Sequence, residues 1–536
     1  MSAVLKQTTN DKSKGTGSAE RPNSSQILEE RQSQELVIAF MGAVGCGMPG
    51  VITTCETLLE NMQYKVVRIK LSDFIKQQIA KDAIPKEEKD SDHRYLAYQS
   101  GGNFLRKKFG TEIFGEYAIN KIQRHKIAID PSSTESSKPV PRVAYLIDQI
   151  KHPDEAKLLR LVYRKLLYLI GVMSTFEHRK ERLIEEGLKE PVAAEVMRRD
   201  RKEIDNFGQQ LEKAFKYADY FIHHPQGNNK LVESQLLRFL ELSHGHNGTT
   251  PTKHEYAMYV AHSTALKSGS LSRQVGAAIT DINGRLISSG ANDVPQFGGG
   301  LYSTDSPVDH RCFNKGGKCE NLEQKKRRKE GIRKGLLEKL PEIFPDQDTR
   351  EKVTAAIEEI VNVTYAKSGI PDLIEFSRAV HAEMDAIVAV SRGGSGSTVG
   401  ANLYTTTFPC HNCARHIIAA GIRRVYYIEP YEKSLAPTAH DDAISVLDHD
   451  AEDDPNAPQQ TTVKFIHFSG VAPNLYPSLF LRERGRKNDD GDLVHFDLIE
   501  GSQPRKIVKE YLDSYRAFES KIAGLFDEDF PPEEPT

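Results

Sequence analysis

Residues 403–430, LYTTTFPCHNCARHIIAAGIRRVYYIEP, hold three elements in succession. ANLYTTT, residues 401–407, reads as a buried strand, CHNCARHIIAAG (410–421) as a helix, and RRVYYIEP (423–430) as a second strand. Gly421 stands where a helix C-cap glycine belongs. A strand, a helix and a strand joined this closely build a parallel pair, so the surrounding region is an α/β unit.

Working outward, the same unit takes in a helix at 254–268 (HEYAMYVAHSTALKS) and two strands, VGAAIT (275–280) and RLISSGAN (285–292). A further helix is read at 376–390 (FSRAVHAEMDAIVAV), after a polar insertion at 296–372 that carries the basic run Lys325 to Lys329. HGHNGTTPTKH, from His244, is the expected linker to the part before it. That preceding part alternates strands (LVIAF 36–40, YKVVRIKL 64–71, VAYLIDQI 143–150, LLYLIGVM 166–173, ADYFIHH 218–224) with helical patterns. The order implies a doubly wound parallel sheet. The expected units are a disordered tail at 1–33, a first domain at 34–245, a second at 250–525 and an acidic tail at 526–536. The acidic stretch 447–460 is expected to be mobile.

Composition excludes some classes. The 536 residues carry 72 Lys and Arg against 75 Asp and Glu, a net charge of −3, which argues against a polycationic nucleic-acid coat protein. No window reaches the ~18 uninterrupted apolar residues of a membrane span, and the N-terminus lacks a secretory core, so no membrane partner and a cytoplasmic location are expected. Six cysteines in so long a chain point to a reducing compartment rather than a disulfide framework.

The chemistry is concentrated in His381-Ala-Glu383 and Pro409-Cys410-His-Asn-Cys413, with 25 residues between Glu383 and Pro409. This is the H-x-E…P-C-x-x-C pattern of zinc deaminases. Two thiolates and an imidazole give His381, Cys410 and Cys413 as the three protein ligands of a catalytic Zn2+ that keeps a fourth position for water. Glu383, two residues beyond His381, is expected to carry protons during hydrolytic attack on a cytosine-like ring. His310, Cys312 and Cys319 in DHRCFNKGGKC are candidates for a second zinc, with reduced thiols as the alternative.

A glycine loop, Gly42-Ala-Val-Gly45-Cys-Gly47, follows a strand and precedes a helix, the context of a phosphate-binding loop. Met48 and Pro49 stand where a Walker loop needs Lys and Ser or Thr, so the motif is degenerate. Gly42, Gly45 and Gly47 remain candidates for nucleotide binding through backbone amides. Asp148, Lys151, His152 and Pro153 resemble kinase-fold positions, Arg179 and Arg182 a lid, and Lys433 a phosphate contact, each with an ordinary charged surface as the alternative.

From 254 to 430 these motifs resemble the deoxycytidylate deaminase branch of the cytidine deaminase superfamily. The pairing with a P-loop-kinase-like first domain is similar to the bacterial anti-phage dCTP deaminases. The resemblance implies a P-loop-kinase-like doubly wound sheet followed by a cytidine-deaminase-like α/β/α sandwich. It also implies Asn292 of Gly290-Ala-Asn292 as a substrate residue and deamination of dCTP or dCMP as antiviral defence. A homo-oligomer and, in some members, an inhibitory small RNA complete what it implies. Two rival readings are a polynucleotide deaminase acting on tRNA or single-stranded DNA, and a non-catalytic zinc-stabilised sensor of nucleotide or RNA.

Overall fold

The computed structural model describes residues 33–85, 93–129, 142–201, 206–224, 229–246, 248–394, 396–431, 434–447, 461–481, 490–491 and 512–531. Lys433, the tail at 1–32 and the acidic stretch 448–460 lie outside them.

Two six-stranded sheets organise the chain. The first holds β1 (Leu36–Gly42), β2 (Lys65–Lys70), β3 (Val143–Ile150), β4 (Leu167–Met173) and β5 (Tyr220–His223), all parallel, in the order β5-β4-β1-β3-β2. Successive side chains of β1 alternate between two cores. Val37, Ala39 and Met41 pack on one side with residues of the helices Ile113–Ile129 and Pro153–Tyr163. Leu36, Ile38 and Phe40 pack on the other with the helices Met48–Asn61 and Asn229–Ser243. A strand buried on both faces needs the continuous apolar run seen in LVIAF.

The second sheet is built from β6 (Gly276–Thr280), β7 (Leu286–Ala291), β8 (Asn402–Thr407), β9 (Arg424–Glu429), β10 (Ile444–Leu447) and β11 (Val463–His467), in the order β10-β11-β9-β8-β6-β7. β8 to β11 run parallel, and β6 is antiparallel to both its neighbours. One face (Ala277, Ile279, Leu403, Val425) lies under the helices Ala382–Gly393 and His411–Ala419. The other (Ala278, Tyr404, Tyr426) packs on the helix Lys253–Ala265 and merges with the core of the first sheet.

Two elements C-terminal to β11 correct the expected domain ends. β12 (Gly470–Val471) crosses back and pairs antiparallel with β5, completing the first sheet, although the sequence placed it in the second domain. The helix Leu512–Asp529 also docks on the first unit, so the acidic tail expected from 526 begins inside a packed helix. Burial explains this. Lys126 sits between Glu519 (2.8 Å) and Glu35 (3.0 Å), and Phe526 is buried against Phe74 and Tyr117. A buried ammonium needs such carboxylates, and Glu519 comes from the far end of the chain.

Where this helix ends, Glu116 lies near Glu112 and Asp529, and burial first, then these two carboxylates, push its carboxyl up to about 7. An acid whose pKa is raised on folding weakens the folded state as pH rises from the unfolded value toward 7. Because Glu116 is half-buried, the expected cost after screening is only about 1 kcal/mol. Glu116→Gln should therefore raise the midpoint of thermal unfolding at pH 7.5 and leave it unchanged at pH 4, as calorimetry would show.

Candidate active site

The site is assembled from two helix starts. His381 is the N-cap of Ala382–Gly393 and Cys410 the N-cap of His411–Ala419, and neither residue spends its side chain on capping its helix. The sequence reading began the first of these helices at Phe376. Instead, the chain before His381 runs through turns and bends, with the Val380 amide donating to Asp293 O (3.0 Å) and the Ala379 amide to Ser377 Oγ (3.2 Å). The second helix lies where it was read, and Gly421, with φ of 72°, follows it in the left-handed region.

Gly290 fixes the height of the first helix over the sheet, since a Cβ there would lie 2.3 Å from Ala382 O and 2.4 Å from the Ala386 amide nitrogen. The Ala291 amide donates to Asp385 Oδ2 (3.2 Å) and Ser288 Oγ to Ala386 O (2.8 Å), locking β7 to the helix. Thus the Gly-x-Asn segment positions His381 from below.

His381 Nδ1 lies 3.3 Å from Cys410 Sγ and 3.3 Å from Cys413 Sγ. The three candidate ligand atoms all fall within 4.8 Å of one another, the single such group of three or more among the described residues. Hydrogen bonds from the Cys413 thiol and then from His381 hold Cys410 as a thiolate, down to about 4. Its bond to that thiolate raises His381 to about 9, while Cys413, which gives its proton to Cys410, is pushed up. A metal ion replaces these shared protons, and two sulfurs with one imidazole are the donor set of a zinc site with one position left open. The residues present fit zinc.

Glu383 is 4% exposed, and burial pushes its carboxyl above the ordinary range, the His381 charge opposing this. It lines a cavity of about 260 Å³ together with His381, Cys410, Phe408 and Tyr431. Arg273 is the one Lys or Arg among the described residues of its lining, and Glu429 lies 3.5 Å from it. The sequence reading missed Arg273, Phe408 and Tyr431, for no spacing connects them.

Asn292 is in the cavity wall, but its amide already serves the backbone, Oδ1 accepting from the Val275 amide (2.7 Å) and Nδ2 donating to Arg273 O (2.8 Å). It holds the segment before β6 that presents Arg273. His310, Cys312 and Cys319, the candidates for a second zinc, form no metal-ligand group among the described residues. His310 stands edge-on to Tyr302, the Cys312 carbonyl closes a turn with Gly317, and Cys319 caps the helix Glu320–Ile343 and lines the active-site cavity. All six cysteines are unbridged. The insertion is helical, with a small core of Leu340, Ile357 and Val361, and its basic run is partly used internally: Lys325 Nζ donates to Pro371 O (2.7 Å) and Arg328 covers the Phe376 ring.

The glycine loop is occupied by the chain itself. The Val44 amide donates to Asp200 Oδ2 (2.6 Å), and Lys151 Nζ bridges Asp200 Oδ1 (2.6 Å) and Gly42 O (2.8 Å). The His224 ring lies against Gly47, whose Cβ would fall 2.1 Å from its Nδ1, and Arg182 donates to Gly45 O (3.1 Å). Asp148 pairs with Arg68 (2.7 Å), and His152 and Pro153 begin the helix Pro153–Tyr163. Asp200 is 1% exposed, and removing one partner of a buried pair typically costs about 3–5 kcal/mol. Asp200→Ala should lower stability by about that amount in a urea titration of the whole chain, whereas a surface carboxylate would change it by less than about 1 kcal/mol.

A thiolate–imidazole metal site beside a buried acid, on a mixed sheet covered by helices, defines a zinc-binding α/β protein. The family described as the cytidine and deoxycytidylate deaminase zinc-binding region matches residues 251–429. Deoxycytidylate deaminase of Enterobacteria phage T2 is 30% identical over 179 residues, 33% of this chain and 80% of the relative. Its counterpart from Enterobacteria phage T4 is 28% identical, over 33% of this chain and 78% of that protein. ComE operon protein 2 of Bacillus subtilis (strain 168) is 48% identical over 56 residues, 10% of this chain and 29% of that protein's length. Among solved structures, dCMP deaminase from the cyanophage S-TIM5 aligns at 17% identity over 41% of this chain and 100% of that one, with a TM-score of 0.21, too slight a likeness to carry an argument. The chain belongs to the cytidine and deoxycytidylate deaminase family, through its second unit. No helix of the described residues is long and apolar enough to cross a membrane.

Proposed function

We propose that the chain hydrolytically deaminates free deoxycytidine nucleotides, dCMP or dCTP, to the uracil nucleotide and ammonia. The observation that carries this is the buried Glu383 beside the His381–Cys410–Cys413 triad at one cavity. These three residues would hold zinc, which when bound would supply Lewis-acid activation of a water for attack on the ring carbon that bears the amine.

Glu383 does the proton work. A carboxylate made more basic by burial accepts a proton from the attacking water and delivers it to the ring nitrogen, then takes the proton left on the added hydroxyl and passes it to the departing amine, which leaves as ammonia. Both helix N-termini face the site and favour the negative charge that develops there. Phe408 offers a ring face for the base, and Arg273 is the cation for a phosphate. The insertion supports a free nucleotide over a strand, because its Cys319 and Asn321 add to the walls around the cavity. The first unit accompanies the deaminase as a P-loop-kinase-like module whose loop is self-filled, and an antiviral depletion of deoxycytidine nucleotides in the cytoplasm is the role we assign.

The test offers dCMP, dCTP, CTP and single-stranded DNA separately to the purified, zinc-loaded chain and measures uracil product. Turnover of a deoxynucleotide is expected. Product from the strand alone would move the function to editing, and none from any of them would leave the sensor reading.

A further inference from the structure

A second cavity, of about 350 Å³, lies between the two units, and its walls are the carboxyl ends of parallel strands from both sheets. Met173 ends β4 on one side, while His467 ends β11 and Val446 and Leu447 end β10 on the other. Open α/β sheets bind their ligands in the crevice outside the carboxyl ends of the strands. Here two sheets direct those ends into one space.

The lining has the character of a small-molecule site. Phe176, Phe408, Tyr427 and Tyr431 bring aromatic rings to it, and Phe176 is 50% exposed. Phe176 also opens the ten-residue helix Phe176–Glu185, which therefore starts at the cavity with Thr175 as its N-cap. Arg179, one turn on, lies over the Phe176 ring and lines the same wall, with Glu177 beside it. Stacking surface, a guanidinium at a helix start and a nearby carboxylate together suit a planar base that bears an amine and a phosphate. A volume in the lower part of the ~300–1,000 Å³ range of ligand sites suits one nucleotide.

We propose that this cavity is a second nucleotide site, taking a nucleoside monophosphate with its base on Phe176 and its phosphate at Arg179. The site is separate from the glycine loop, which Asp200 and His224 fill, and from the active-site cavity. It shares the Phe408 and Tyr431 walls with the latter, so an occupant touches the residues that border the substrate.

Equilibrium dialysis tests it. The zinc-loaded full chain carrying Glu383→Gln, which prevents turnover, is titrated with dCMP and separately with dAMP, and bound nucleotide per chain is counted. Val446→Trp, on a 40% exposed position, fills the cavity from its outer wall, and Phe176→Ala removes the stacking surface without adding bulk. The expected result is that each change removes one bound nucleotide per chain for at least one of the two probes, while Val446→Trp in the otherwise wild-type chain keeps its turnover of dCMP. Counts unaltered by both changes, with both probes, would overturn the proposal. The deaminase reading fails separately: wild-type chain forming neither dUMP from dCMP nor dUTP from dCTP sinks that reading, while a nucleotide lost through Val446→Trp still establishes the cavity.

Discussion

Glu383→Gln should reduce turnover of the deoxynucleotide by about 10²–10⁴-fold, with zinc content and thermal midpoint kept. The size follows from what the side chain does. Gln keeps the shape of a residue that is 4% exposed, so packing is preserved, but an amide takes and returns no proton at the required basicity. The loss should therefore appear in kcat with KM little changed, since Gln keeps the shape of this part of the wall and the other walls are untouched. Rescue by Glu383→Asp would be partial, because shortening the side chain moves the carboxyl away from the reacting atoms. A Glu383→Gln chain that retained more than about a tenth of the wild-type kcat would show that another group carries the proton.

The second large effect concerns the ligands. Cys413→Ala removes one of three protein donors and should lower bound zinc from one per chain to roughly a tenth or less at micromolar free metal. Activity should fall by more than the roughly 100-fold that loss of an outer-shell partner costs. Cys319→Ala, by contrast, should leave zinc content at its wild-type value, because Cys319 lies in the cavity wall and belongs to no metal-binding group among the described residues. Metal analysis of the two variants side by side separates a ligand from a neighbour. Equal zinc in both would mean that the sulfur of Cys413 is not a donor.

Much of this site was legible in the sequence because its information is local. Cys410 and Cys413 open a helix that is set by the pattern of its own segment, and β8, its helix and β9 are spelled out in 28 consecutive residues. The same spacing logic failed at His310, Cys312 and Cys319, because nearness along the chain does not make side chains converge when the intervening residues form turns and the next helix turns Cys319 away. The glycine loop was legible in what it lacks, since Met48 and Pro49 replace the cation and the metal-binding hydroxyl. Its filling by Asp200 was not legible, for that carboxylate comes from 156 residues further on.

The longest-range feature was the least legible. β12 and the helix Leu512–Asp529 return to the first unit, and the bond between Ser33 Oγ and Tyr515 (2.9 Å) spans 482 residues. Within its own segment that helix shows an amphipathic pattern and nothing about its partner. Its partner is marked by the buried Lys126, which pairs with Glu35 and, from this helix, Glu519. β10 and β11 were missed for a related reason: each is short, and an acidic stretch separates them.

The most direct test of the central claim is to strip the chain of metal, titrate it with Zn2+, and follow conversion of dCMP or dCTP to the uracil nucleotide at each step. Activity rising in proportion to added zinc and levelling at one ion per chain, with Glu383→Gln binding the ion but remaining inactive, is the expected result. Full activity in the metal-free chain, or no activity at one zinc per chain with both nucleotides, would contradict it.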